Sequence, residues 1–181
     1  MIQRIPLLAA ALLSLASLPS FPLEASDLVG SAAPYFRVQS GDDKEMTLDM
    51  IKGKVTTIFY ENKDIIGANK RLKDELNKLY FEQTESVKAG LVRLPVIDCS
   101  DAVWPFRWIW KSKLREHSKK EGMAIYCDWE GKMAVDYKMK SDVSNVVIID
   151  KKASIKFFTA GEVKDHDING VKQLLKALST E

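Results

Sequence analysis

The chain has 181 residues, 46% of them apolar and 29% charged, with a formal net charge of +2. That length suits one domain; the apolar content is too high for disorder and the charge too small for a nucleic-acid footprint. Two cysteines are too few for a disulfide-rich mini-protein or an all-Cys zinc site, and no run of about 18 apolar residues marks a spanning helix.

The first 25 residues read as an address. Arg4 supplies a positive start, residues 5–18 are an almost unbroken apolar run, Pro19 and Pro22 follow, and Ala25 suits the position before a cut. This layout predicts a cleavable secretory signal peptide over 1–25 and a single domain over 26–181. It also predicts export to a periplasm, where thiols tend to be oxidised. No Cys follows the apolar run, which disfavours a lipoprotein.

Residues 35–38 form a first extended segment ending in the turn signal Gly41-Asp42-Asp43. Residues 55–60 are β-branched and aromatic, the composition of a buried strand. Leu72, Leu76, Leu79 and Tyr80 then make the apolar stripe of a helix, with charged residues between them. Residues 91–97 read as a strand, although Pro95 removes one ladder donor. A second helix fits 105–120. Pro105 takes its first position, Phe106, Ile109, Trp110 and Leu114 form its apolar face, and Lys119, Lys120 and Gly122 close it. Residues 123–127 form a short strand before the turn Asp128-Trp129-Glu130-Gly131. Strands at 145–149 and 154–159 flank Asp150-Lys151-Lys152 as a hairpin. The last helix carries Ile168, Val171, Leu174, Leu175 and Leu178 on one stripe, with Asp165 or Asp167 as N-cap. This order predicts a three-layer α/β sandwich, a mixed central sheet with helices on both faces.

Gly30-Ser-Ala-Ala-Pro34, Thr47-Leu48 and Gly53-Lys54-Val55 ahead of Ile58-Phe59-Tyr60 resemble the thioredoxin-like redoxins. A closer resemblance is to the YtfJ-type exported proteins of bacteria, a thioredoxin-like family. It is carried by Asp101-Ala102, residues 112–120, Asp128-x-x-Gly131, Ser144, the strand end Val146-Val147-Ile148-Ile149-Asp150-Lys151, and Gly161. It spans roughly residues 30–178 and implies a thioredoxin fold behind a signal peptide.

Redoxins place Cys-x-x-Cys at a helix start, where the partial positive charge of the helix terminus stabilises thiolate. Registration through Phe59-Tyr60 puts Asp64 and Gly67 at the two Cys positions, with Asp64 as a helix N-cap. Neither residue can exchange a disulfide. Redoxins also carry a cis-Pro before the strand facing that site. The matching stretch here is Asp142-Val143-Ser144-Asn145, in which Ser144 stands for the proline. No catalytic residue is assigned.

Cys99 follows one strand and Cys127 ends another, both at the functional rim of such a sheet. A structural disulfide, two buried free thiols and a redox-active pair are the alternatives. Acidic Asp98, Asp101 and Asp128 would raise a thiol pKa and weaken the reactive reading. Trp104, Arg107, Trp108 and Lys111 are a candidate docking surface; packing of Trp108 under a neighbouring loop is the alternative. Asp165-His166-Asp167 reads as a helix start rather than a metal cluster. No metal, cofactor or nucleic acid is expected, nor membrane contact beyond the signal peptide, and the oligomeric state stays open. The expected role is a non-catalytic binding or accessory module of the envelope with a protein partner. The alternative is a nonstandard thiol oxidoreductase or peroxidase-like enzyme using Cys99 with Cys127.

Overall fold

A computed structural model describes residues 27–102 and 105–180. The expected signal peptide and Trp104 lie outside the described residues. In chain order the elements are β1 (Arg37–Ser40), β2 (Glu45–Thr47), α1 (Leu48–Ile51), β3 (Val55–Glu61), α2 (Lys70–Phe81), α3 (Glu85–Ala89) and β4 (Leu91–Asp98). There follow α4 (Arg107–Glu121), β5 (Tyr126–Asp128), α5 (Lys132–Asp136), β6 (Asn145–Ile149), β7 (Ile155–Ala160) and α6 (Asp165–Thr180).

The strands form one sheet in the order β2-β1-β5-β4-β3-β6-β7. β3, β4 and β5 are parallel; β6 runs antiparallel to β3, and β7 to β6. Alternation along the central strands divides the apolar residues between two faces. Ile58, Tyr60, Leu94 and Val96 meet Leu48, Ile51, Met133 and Tyr137 on one face. On the other, Val55, Val146, Ile148 and Phe157 pack under Leu72, Leu76 and Leu79 of α2 and the α6 stripe Ile168, Val171, Leu174, Leu175 and Leu178. The stripes predicted for α2 and α6 are therefore the buried ones, except that Tyr80 of α2 is only half-buried. A third cluster joins Ile97, Cys99 and Cys127 to Leu114 of α4.

Several expected boundaries move. β5 is only Tyr126–Asp128, and residues 123–125 precede it. Asp128 ends that strand and its Oδ2 accepts the N–H groups of Met133 and Ala134, which starts α5, an element the turn reading omitted. α4 begins at Arg107, two residues past Pro105, and Phe106 is exposed rather than part of an apolar face. Leu114 is the one fully buried residue of that helix, while Ile109 and Trp110 are half-buried. Gly122 closes α4 in the left-handed conformation, φ 64°. Asp165 and Asp167 both lie inside the first turn of α6, so neither is its cap. Pro95 sits in a central strand. Pairing with β5 begins only at Val96, so up to Pro95 the strand has a ladder partner on one side, where a missing N–H is tolerated.

The N-terminal segment covers the sheet edge at the start of β7. Gly30 N–H donates to the Ile155 carbonyl (2.8 Å), Ile155 N–H to Ser31 (2.9 Å) and Ala33 N–H to Ala153 (2.8 Å). At the opposite side α4 rests on the turn after β1. A Cβ placed on Gly41 would sit 2.6 Å from the Lys111 carbonyl oxygen and 2.9 Å from Arg115 N. Arg115 also donates to the Gly41 carbonyl, 2.8 Å. Gly41→Ala should therefore push α4 away and cost about 1–3 kcal/mol in urea denaturation. An unchanged midpoint and slope would contradict this close approach.

Candidate functional site

The carboxyl ends of β3, β4 and β5 and the amino end of β6 share one rim, since Glu61 pairs in register with Ile97, Asp98 with Asp128, and Tyr60 with Asn145. Four chemistry-bearing groups collect there: Glu61, Ser144, Asp128 and the two cysteines.

Asp64 and Gly67 lie at the β3-to-α2 junction, as the registration requires, but not on the helix. β3 runs one residue past Tyr60, to Glu61, and α2 starts only at Lys70. Asn62 takes over the local capping: its Oδ1 accepts Asp64 N–H (2.9 Å) and Ile65 N–H (3.2 Å), an Asx turn. The expected N-cap role of Asp64 is thus corrected. Its side chain is exposed and paired with Lys63, and Gly67 faces open space. Asn69 precedes α2 at φ 53° and bonds outward. Its Nδ2 donates to the Gly161 carbonyl (3.0 Å) and its Oδ1 accepts Val163 N–H (2.7 Å).

Beneath this loop is a buried polar group that pattern reading missed. Glu61 is 4% exposed. Lys73 Nζ donates to both its carboxylate oxygens at 2.7 Å and to the Ile66 carbonyl at 2.8 Å. Ser144 Oγ donates to Glu61 Oε1 at 2.6 Å, and the Ser144 carbonyl accepts Gly161 N–H. Ser144 therefore anchors a carboxylate. Burial raises the Glu61 pKa above the ordinary carboxyl range, against the lowering effect of Lys73 and Ser144. A glutamate closing an apolar strand run was the one sequence signal available for it.

Cys99 and Cys127 are joined in a disulfide, Cα–Cα 5.7 Å, and both residues are fully buried. Of the three sequence alternatives this excludes the two free thiols, and it leaves no free cysteine. The bond links the end of β4 to β5. Asp128, 2% exposed, accepts the Tyr60 hydroxyl at 3.2 Å as well as its two backbone donors. Burial raises its pKa despite those donors, and burial with Asp128 and Asp98 nearby pushes the Tyr60 phenol far up. A carboxyl whose folded pKa is raised costs stability above that pKa, and the cost disappears as pH falls toward the unfolded value. Asp128→Asn should accordingly be more stable than the parent at pH 7, with the gap closing toward pH ~4. A gap independent of pH in urea titrations would refute this.

The predicted docking residues do not form one free patch. Trp108 is 67% exposed, so it does not pack under a loop. Arg107 lies over the Trp129 ring, 5.4 Å from its centroid, and Lys111 is ion-paired with Asp43. His166 meets one carboxylate, Asp167 at 3.4 Å, and the described residues contain no cluster able to hold a metal ion. Among them, no helix is long and apolar enough to cross a membrane.

Residues 49–178 match the model of a family described as "Bacterial protein of unknown function (YtfJ_HI0045)". The chain belongs to this YtfJ family. Comparison with curated protein sequences gave no match. Solved structures similar to this YtfJ-family chain include a proposed protein disulfide isomerase from Bacteroides thetaiotaomicron, with 16% identity, TM-score 0.63 and coverage of 84% of this chain and 91% of that one. A pneumococcal exposed lipoprotein thioredoxin from Streptococcus pneumoniae strain TIGR4 has 19% identity, TM-score 0.57 and coverage of 80% and 100%. A proposed thiol:disulfide interchange protein DsbE from Chlorobium tepidum has 14% identity, TM-score 0.60 and coverage of 83% and 97%. At these identities the likeness is one of fold: this YtfJ-family chain has the thioredoxin-like α/β sandwich.

Proposed function

We propose that the protein is a non-catalytic binding or accessory module of the bacterial envelope, working in the periplasm with a protein partner. The observation that carries this reading is the strand-to-helix junction. It holds Asp64 and Gly67 where a redoxin dithiol would stand, above a carboxylate held by Lys73 and Ser144. Disulfide exchange needs a thiolate with access to its target. Both sulfurs of this chain are instead spent in a buried bond. Location outside the cytoplasm is favoured by the layout of residues 1–25 and by the likeness to an exposed lipoprotein thioredoxin and a DsbE-type protein. A second reading, a nonstandard thiol enzyme using Cys99 with Cys127, has one observation for it: the bond lies at the rim where redoxin chemistry sits.

Reduction of insulin disulfides separates the two. The mature protein should add nothing to the rate given by dithiothreitol alone, and its cysteines should alkylate only after reduction. Turnover that is lost in Cys99→Ser would overturn the proposal in favour of the enzyme.

A further inference from the structure

α2 and α4 stand on the same face of the sheet but leave a long open groove of about 1020 Å³ between them, floored by β3 and β4. Phe59, Pro95 and Ile97 line the floor; Trp110, Met123 and Ile125 line one wall. Of the charged side chains that border it, six are Lys or Arg and three are Asp or Glu. Two of those acids are already engaged, Glu61 by Lys73 and Asp74 by Lys70. Lys113 and Lys176 have no carboxylate partner among the described residues, and Glu121 is the one acid left over on this border.

Arg93 decides the character of the groove. It projects from β4, only partly exposed, with its guanidinium 4.1 Å from the Tyr80 ring centroid, and Nη1 donates to Asn77 Oδ1 at 2.7 Å. No carboxylate among the described residues answers its charge. A half-buried cation that meets only an amide and two rings, Tyr80 and Phe81, retains unmet capacity for an anion. The apolar floor beside it asks for apolar side chains. The length fits a helix, since α4 alone spans roughly 22 Å at 1.5 Å per residue.

We infer that this groove receives an acidic amphipathic helix of a partner protein, its apolar face on Phe59, Pro95 and Trp110 and its carboxylates on Arg93, Lys113 and Lys176. This rests on the binding-module reading and gives that module its partner chemistry. A second copy of the chain fits poorly. A two-fold contact would set the same cations against themselves.

The test uses a fluorescein-labelled designed peptide, helical, with leucines on one face and glutamates on the other, and a counterpart carrying lysines for the glutamates. Anisotropy should show the acidic peptide binding the mature protein, the lysine peptide not, with affinity falling as salt rises. Arg93→Met and Lys113→Glu should each weaken the acidic peptide, by about tenfold or more for Arg93→Met. Lys113 is exposed, so that variant stays informative if Arg93→Met disturbs folding. Hydrogen exchange should show protection by the acidic peptide in β4 and α4. Equal binding of both peptides, or binding indifferent to both variants, would overturn the inference. So would self-association that protects these segments. None of these outcomes bears on insulin reduction, so failure here leaves the non-catalytic reading to its own test.

Discussion

Lys73→Met should destabilise the protein by about 3 kcal/mol at pH 7, read as a shift in the urea midpoint. The change strands Glu61, which is 4% exposed and would keep only Ser144 as a donor. The Lys73 side chain is itself 24% exposed, which places the cost at the low end for a buried pair. The deficit should shrink as pH falls, because protonation of Glu61 removes the uncompensated charge. With a folded pKa raised by burial, that relief begins above the ordinary carboxyl range. Glu61→Gln combined with Lys73→Met should return to within about 1 kcal/mol of the parent, since an amide can still accept from Ser144. A single Lys73→Met variant as stable as the parent would show that the pair holds nothing together.

Replacing both cysteines by serine should cost about 3–4 kcal/mol. The bond closes a 28-residue separation, and its main effect is to restrict the unfolded chain. The loss should also be uneven. α4 fully buries only Leu114, and its other anchors are Lys111 to Asp43 and Arg115 to Gly41. Without the bond, amide exchange should quicken most over residues 99–121 and least in β6, whose five residues are all buried. Since α4 is one wall of the groove, a reduced protein should also bind the acidic peptide more weakly. Uniform acceleration across the sheet would mean that the bond acts on the unfolded chain alone.

What the sequence disclosed and what it hid divide along a physical line. Long periodic segments were legible because burial enforces their period: Leu72, Leu76 and Leu79 of α2, and Ile168 through Leu178 of α6. Short elements were not. β2 is Glu-Met-Thr, with no apolar alternation to detect, and α3 is five residues with none buried. α5 left a faint trace, Met133 and Tyr137 four apart and both fully buried, but its start depends on the Asp128 carboxylate. The rim was legible in register and not in content. Phe59-Tyr60 located the junction, yet Asn62 rather than Asp64 accepts the local backbone donors, and the helix starts only at Lys70. The bond from Ser144 to Glu61 joins residues 83 apart, and no local spacing rule reaches that far.

The strap of residues 30–33 beside the start of β7 carries a consequence for truncation. Its backbone groups occupy Ile155 and Ala153, positions that would otherwise offer a bare hydrogen-bonding row to any passing chain. A chain cut ahead of residue 27 would keep this strap, whereas one cut past Ser31 would lose its bonds to Ile155. Such a chain would be inclined to polymerise edge to edge.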